Sequence, residues 1–137
     1  MERKTSPMTL GPLPDWLMDY CQRLYTDGHF PKIPDQVIIN EYQPRQGIAP
    51  HIDCVSCFEE TIASLSIGSA CVMEFTNPIT GEKIDHLLEP CSLLIFSGDA
   101  RYQWKHGIAA RKSDKHQGQV IQRGRRISLT FRNIITD

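Results

Sequence analysis

The arrangement of β-rich segments restricts the possible fold of this chain more than any other feature. From Gln36 onward the sequence is made of short runs rich in β-branched and aliphatic residues, with turn residues between them: QVIINEY, TIASLSI, ACVMEF, DHLLE, SLLIFS and RRISLTFRNII. A single helical pattern precedes them, about residues 15 to 26, carried by Trp16, Leu17, Tyr20, Cys21 and Leu24. Six strand-like runs after one helix argue against alternating βα units. They predict a mainly β fold, an antiparallel barrel or a double-sheet jelly roll, with the helix packed outside it.

The length of 137 residues suits one domain of ordinary size. Residues 1–11 are polar and aperiodic, so we expect a flexible N-terminal arm followed by a single domain over residues 12–137. No apolar run approaches the roughly 18 residues of a membrane span, and no signal segment is evident, which predicts a cytoplasmic protein without membrane contact. Five cysteines without framework spacing predict reduced thiols. A monomer is the default expectation.

Charge is distributed unevenly along the chain. Residues 1–100 contain 6 basic and 14 acidic residues, whereas residues 101–137 contain 9 basic and 2 acidic residues. A basic C-terminal third is compatible with an anionic ligand or nucleic acid. Folding could equally mix these charges over one surface.

His51 and Asp53 are separated by one residue, so on an extended segment their side chains point to the same face. With a second histidine they would form the two-histidine, one-carboxylate triad that leaves coordination positions of Fe(II) open. His106 is the candidate, because it follows a strand-like run in RYQWKHGI, where Gly107 allows close approach and Trp104 supplies an apolar wall. The alternative is a structural histidine with a hydrogen-bond partner.

The last strand-like run carries Arg126 and Arg132 six residues apart, on the same face as Ser128 and Thr130. An arginine that points into a barrel requires an anion, and its planar fork suits a carboxylate. 2-Oxoglutarate, a dicarboxylate that can also chelate iron, would satisfy both side chains. On an edge strand the same arginines would instead face solvent.

Taken together, the order N-x-Y, H-x-D, SLSIGS, GxxRxxWxHGI and RxSLTFR resembles the AlkB family of nucleic-acid dioxygenases, from about Asp35 to Ile134. The sequence of these motifs is most similar to that of the subgroup containing the tRNA wobble-uridine hydroxylase and its small bacterial relatives. The resemblance implies a double-stranded β-helix, the use of Fe(II), 2-oxoglutarate and O2, and a DNA or RNA/tRNA substrate whose modification is demethylation or hydroxylation. The residues to which it assigns roles are His51, Asp53 and His106 for iron, Arg126 for the 5-carboxylate, Arg132 near the iron-bound end, and Asn40, Tyr42 and Ser128 as further co-substrate contacts.

The resemblance leaves the substrate open. Nucleic-acid enzymes of the family carry an N-terminal lid, and only about 35 residues precede the first core strand here, so we expect no full lid. A protein or small-molecule substrate is the alternative, and a catalytically silent jelly-roll module is a third possibility. Arg101 could lie at the substrate side of the site or hold a loop. Cys54 and Cys57 form a C-x-x-C without a second pair, which favours structural or incidental cysteines over zinc.

Overall fold

A computed structural model describes residues 4–7 and 13–136. These residues form two helices and eleven strands. In chain order they are β1 (Lys4–Pro7), α1 (Asp15–Thr26), β2 (Gln36–Tyr42), β3 (Ile48–His51), β4 (Ile62–Gly68), β5 (Cys71–Thr76), β6 (Lys83–Leu88), β7 (Ser92–Phe96), α2 (Gly98–Tyr102), β8 (Lys105–Ile108), β9 (Ser113–His116), β10 (Gln119–Gln122) and β11 (Arg126–Arg132).

Two antiparallel sheets make up most of the fold. The larger sheet has the strand order β1-β2-β11-β4-β7, and the smaller has the order β3-β8-β5-β6. Residues from β2, β4 and β11 line one cavity together with residues from β5 and β8, so the two sheets face each other across it. This is the jelly roll predicted from the strand pattern, and the prediction is confirmed. A separate hairpin of β9 and β10 lies beside β5.

Helix α1 covers the outside of the larger sheet. Its buried residues Leu17, Cys21 and Leu24 recur at three- and four-residue intervals and pack in one cluster with Leu129 and Phe131 of β11. Full burial of a leucine side chain contributes roughly 1.5–3 kcal/mol, so this contact fixes one face of β11 firmly. The opposite face of β11 is thereby directed into the cavity between the sheets.

Two sequence expectations differ from the structure or lie partly beyond it. Lys4–Pro7 pairs with β2 as a strand, whereas the rest of the expected flexible arm, residues 1–3 and 8–11, lies outside the described residues. The polar, aperiodic stretch 111–124 predicts a loop with room for a short strand at 119–122. In the structure it contains the β9–β10 hairpin, and Asp114 of β9 accepts a hydrogen bond from the Val72 amide of β5. In the part of the chain that the structure covers, no helix has the length and apolar character needed to cross a membrane.

The expectation that all cysteines are reduced is wrong for one pair. Cys54 and Cys57 form a disulfide. A tight turn, in which the Cys57 amide donates to the Cys54 carbonyl, brings their Cα atoms to 5.2 Å, within the range that a disulfide spans. The spacing of these cysteines along the chain did not indicate this turn.

Candidate active site

Strands β3 and β8 bring two histidines together at the cavity. His51, the last residue of β3, is the cross-strand partner of His106 on β8, and their ring centroids lie 4.4 Å apart. Asp53 follows two residues later, with its Oδ1 atom 3.3 Å from His51 Nε2 and 3.4 Å from His106 Nε2. The three side chains offer ligand atoms that all lie within 4.8 Å of one another, close enough to hold one metal ion.

Gly107 permits this close approach of β3 and β8. A Cβ atom added there would lie 2.8 Å from Pro50 N and 2.9 Å from the Ile48 carbonyl oxygen, both of them backbone atoms of β3. A backbone atom cannot rotate away as a flexible side chain can. The glycine that follows His106 is therefore a steric requirement of the histidine pair.

The electrostatics of the cluster suit a cation. Burial by itself would raise the pKa of Asp53, but hydrogen bonds from the His106 and His51 rings and the charge of Arg132 outweigh it and hold the pKa well below its usual range. His51 Nδ1 lies 2.9 Å from the Ala49 carbonyl oxygen, which can only accept, so a neutral ring would carry its lone pair on Nε2, facing Asp53. The hydrogen bond from Nε2 to Asp53 therefore requires a ring that is protonated on both nitrogens. Two acceptors in this position require either an added proton or a metal ion between them. Two imidazoles and one carboxylate are the donor set of non-haem Fe(II) sites, so these residues fit iron.

Arg132, at the end of β11, holds the second oxygen of the Asp53 carboxylate. Its Nη1 donates to Asp53 Oδ2 at 3.2 Å, its Nε donates to Gln36 at 2.9 Å, and its guanidinium lies 3.7 Å from the Phe58 ring centroid. These contacts fix the carboxylate plane. As a result, Oδ1 remains turned towards the two histidines.

Arg126 begins the same strand and lies at the other end of the cavity. Only 3% of the residue is exposed, its Nη2 donates to Ser66 at 2.9 Å, and its guanidinium lies 5.3 Å from the Tyr42 ring centroid. Nε of Arg126 and Oδ1 of the nearby Asn40 are buried and find no hydrogen-bond partner among residues 4–7 and 13–136. A buried polar atom without a partner costs about 1–3 kcal/mol, so the Arg126 Nε donor prepares this end of the cavity for an anionic ligand.

Strand pairing explains how the polar residues gather. Ser128 is the register partner of Asn40, and Arg126 is the partner of Tyr42, so β2 and β11 place all four at one end of the sheet. The cavity has a volume of about 110 Å³. Ser64 and Thr130 add two hydroxyl groups to the lining. The remaining wall residues are apolar, and these are Ile38, Ile48, Ile62, Met73, Phe96 and Ile108.

The structure thus brings eight of the residues singled out from the sequence to one cavity, and these are Asn40, Tyr42, His51, Asp53, His106, Arg126, Ser128 and Arg132. Arg101 is not among the cavity residues; it is 1% exposed and donates to backbone carbonyls of the Asp53 loop. Sequence reasoning missed Ser66 and Phe58. The alternation of Ser64 and Ser66 in SLSIGS, a polar face on a buried strand, could have indicated Ser66.

Comparison with known proteins agrees with this geometry. The model of the 2OG-Fe(II) oxygenase superfamily matches residues 2–132. The chain belongs to this superfamily. Its members use Fe(II), 2-oxoglutarate and O2, and the His51, Asp53 and His106 cluster supplies the donors that such an oxygenase needs.

Relatives of this oxygenase place it in the AlkB-like group, as the motifs predicted. It is 43% identical over 136 residues to the uncharacterized protein L905 of Acanthamoeba polyphaga mimivirus, covering 96% of this chain and 65% of that protein. It is 41% identical over 143 residues to the tRNA (carboxymethyluridine(34)-5-O)-methyltransferase alkbh8 of Xenopus tropicalis, covering 90% of this chain and 23% of that protein. The oxygenase therefore spans less than two thirds of either relative.

The solved structure of OsALKBH1 has the same fold. It superposes with a TM-score of 0.58 at 20% sequence identity, covering 88% of this chain and 64% of that one. This likeness supports the jelly-roll fold of the chain.

Proposed function

We propose that this chain is an Fe(II)- and 2-oxoglutarate-dependent dioxygenase in which His51, Asp53 and His106 bind iron and Arg126 binds the 5-carboxylate of the co-substrate. One observation carries the proposal. A single cavity joins the three metal-type ligands at one end to a buried, incompletely paired arginine at the other. A molecule with a chelating end and a remote carboxylate matches these two ends.

Bound Fe(II) would supply the redox chemistry that couples decarboxylation of 2-oxoglutarate by O2 to hydroxylation of a substrate C–H bond, with succinate and CO2 as the other products. The protein supplies position and shielding. Arg132 keeps Asp53 in its ligating orientation through Oδ2. Phe96 packs edge-on to the His106 ring at 5.2 Å between centroids and excludes water from its buried side.

At the opposite end Arg126 would receive the 5-carboxylate with its Nε and remaining Nη donors, while Ser66 holds the guanidinium in place. Ser128 and Asn40 stand beside it on neighbouring strands, and the Tyr42 ring covers the guanidinium face. Because the fork is fixed on several sides before the ligand arrives, binding requires little reordering.

We further propose that the substrate is a modified or alkylated base in nucleic acid. The support is the similarity to alkbh8, a protein named for tRNA modification, and to a probable RNA/DNA demethylase, ALKBH6 of Danio rerio. An N-methyl group hydroxylated here would leave as formaldehyde, whereas a hydroxyl on a stable carbon would remain. A base within a duplex would have to be flipped out to reach the cavity. A cytoplasmic location and a monomeric state stay predictions.

The test is turnover of the iron-loaded protein with methylated DNA, methylated RNA and bulk tRNA, followed by succinate measurement and nucleoside mass spectrometry. We expect succinate formation that depends on iron, and a mass change in one class of nucleic acid. Ala at His51, Asp53 or His106 should abolish both, because each supplies one of three protein ligands. Full succinate formation by these variants would refute the site. Succinate formation without any change in nucleic acid would refute the substrate class alone.

A further inference from the structure

Arg101 occupies an unusual position for a cation. The residue is 1% exposed, and its guanidinium donates to four backbone carbonyls: Nη1 to Asp53 at 2.8 Å, Nη2 to Cys54 and to Phe58 at 3.2 Å each, and Nε to Glu59 at 3.3 Å. The Tyr102 ring lies 4.7 Å from the guanidinium carbon. A buried guanidinium is costly unless its donors are used, and here all three nitrogens donate. The geometry is that of a cation around which a loop is folded.

The loop in question carries Asp53. The four carbonyls that accept from Arg101 belong to residues 53, 54, 58 and 59. Arg101 therefore closes the segment 53–59 into a compact turn. The Cys54–Cys57 disulfide cross-links the same turn, and the Phe58 ring at its far side supports Arg132, which in turn holds Asp53 Oδ2. The backbone and the side chain of Asp53 are therefore both constrained by arginines.

Arg101 also belongs to the other metal-type segment. It lies in α2, five residues before His106, and α2 leads into β8 through Gln103 and Trp104, whose amides both donate to the Asp99 carbonyl. The hydrogen bond from Arg101 to the Asp53 carbonyl thus links the chain segments that carry His106 and Asp53 without passing through the cavity.

The charge of Arg101 reaches the site as well. Burial lowers the pKa of Arg132, Asp53 opposes that change, and the positive charge of Arg101 lowers the Arg132 pKa further. The two guanidiniums are thus close enough to interact, and they bracket Asp53 from its backbone and side-chain sides.

We propose that Arg101 is a positioning residue for the metal centre, which sets the distance between Asp53 and His106 by holding the 53–59 loop against α2. It touches neither substrate nor co-substrate. This proposal rests on the proposed function, because it assigns Arg101 a role towards the metal that His51, Asp53 and His106 would bind. Residues that orient metal ligands from behind typically contribute 10- to 100-fold to metal affinity.

The experiment is a titration of wild type and Arg101→Lys with Co(II), a spectroscopic substitute for Fe(II), by calorimetry and by visible d–d absorption. One ammonium cannot reach four carbonyls arranged around a planar fork, so we expect about 10- to 100-fold weaker Co(II) binding. The d–d spectrum of the saturated variant should differ in shape from that of wild type, since the ligand geometry is altered. A general loss of stability would lower the melting temperature without changing that spectrum.

Arg123→Lys is the matched control. The Arg123 side chain is 4% exposed and also donates to several oxygens, including both carboxylate oxygens of Asp114 and the Ala109 carbonyl, yet it contacts neither the 53–59 loop nor the metal-type residues. We expect it to lower the melting temperature and to leave Co(II) affinity and spectrum unchanged. Equal weakening of Co(II) binding by both variants would overturn the proposal.

Where Arg101→Lys does not fold, Arg101→Ala with added guanidinium ion provides the second test. Free guanidinium can occupy the vacated position, so it should restore the wild-type Co(II) spectrum, whereas methylammonium should not. Absence of rescue, or wild-type affinity and spectrum in either Arg101 variant, would refute the positioning role. If wild type itself bound no Co(II), the proposed function would fail, which is a separate outcome.

Discussion

Replacing Arg126 by Lys tests the co-substrate end of the cavity most sharply. The guanidinium uses Nη2 for Ser66 and leaves Nε buried without a partner among the described residues, so its free edge can donate two parallel hydrogen bonds to a carboxylate. A lysine ammonium keeps the charge but offers a single nitrogen. It therefore loses at least one hydrogen bond to a charged group, about 1.5–3 kcal/mol, which corresponds to a half-saturation for 2-oxoglutarate raised about 10- to 150-fold.

The assay is calorimetric titration of 2-oxoglutarate into the Mn(II)-loaded protein without oxygen, supported by succinate formation at increasing 2-oxoglutarate with Fe(II). Arg125→Lys is the control, because the Arg125 side chain is 62% exposed and pairs with Glu41. The control should bind 2-oxoglutarate as wild type does. An affinity for 2-oxoglutarate unchanged within twofold in Arg126→Lys would remove the reason for assigning this arginine to the co-substrate.

Three further predictions follow from packing, sulfur chemistry and charge. Gly107→Ala should weaken Co(II) binding at least tenfold, because the added Cβ separates β3 from β8. Gly124→Ala is the control, since its added Cβ would lie 3.6 Å from Ser69, an ordinary contact distance, and it should leave Co(II) binding unchanged. Equal Co(II) affinities of the two variants in calorimetry would contradict this prediction. Serine at both Cys54 and Cys57 should retain one metal per chain by elemental analysis, and loss of the metal would point to a thiolate site. Asp114→Asn should lower the free energy of unfolding by about 3–5 kcal/mol in urea titrations, since it breaks a buried ion pair. Burial alone would raise the Asp114 pKa, but hydrogen bonds from its arginine partners and from a backbone amide hold that pKa below normal. In wild type this stabilisation should therefore be present above about pH 4 and disappear as the pH falls further. A wild-type free energy of unfolding that did not change over this pH range would count against the prediction.

The sequence predicted the elements whose residues carry a period. The alternation in β11, with Arg126 and Ser128 on one face and Leu129 and Phe131 towards the helix, was readable because a strand exposes successive residues to opposite sides. The histidine pair was inferred from residue types and resemblance, and its cross-strand register became visible only in the structure.

Charge was the least informative signal. The basic C-terminal third does not form one exposed surface, because Arg101, Arg126 and Arg132 are buried and the Arg123 side chain is enclosed with Asp114. Burial of arginines depends on partners distant in the chain, such as the carbonyls of the 53–59 loop, and no local pattern encodes those. The Cys54–Cys57 disulfide escaped prediction for a related reason, since it requires a turn that the neighbouring residues do not specify.

The strands at the two ends of the cavity differ greatly in how extensively they pair with their neighbours. β11 pairs with seven residues of β2 and six of β4, whereas β3 lies at the edge of its sheet and keeps only two register pairs with β8, with a shift between them. Amide hydrogens of β11 should therefore exchange only on global unfolding, while those of β3 exchange through local opening. The end of the cavity at Arg126 then stays rigid, whereas β3, at the histidine end, opens locally until a bound metal ion links it to β8. Addition of metal should selectively slow amide hydrogen exchange in β3 and β8. Strand pairing therefore determines that the arginine end of the cavity is rigid first and the histidine end only after the metal binds.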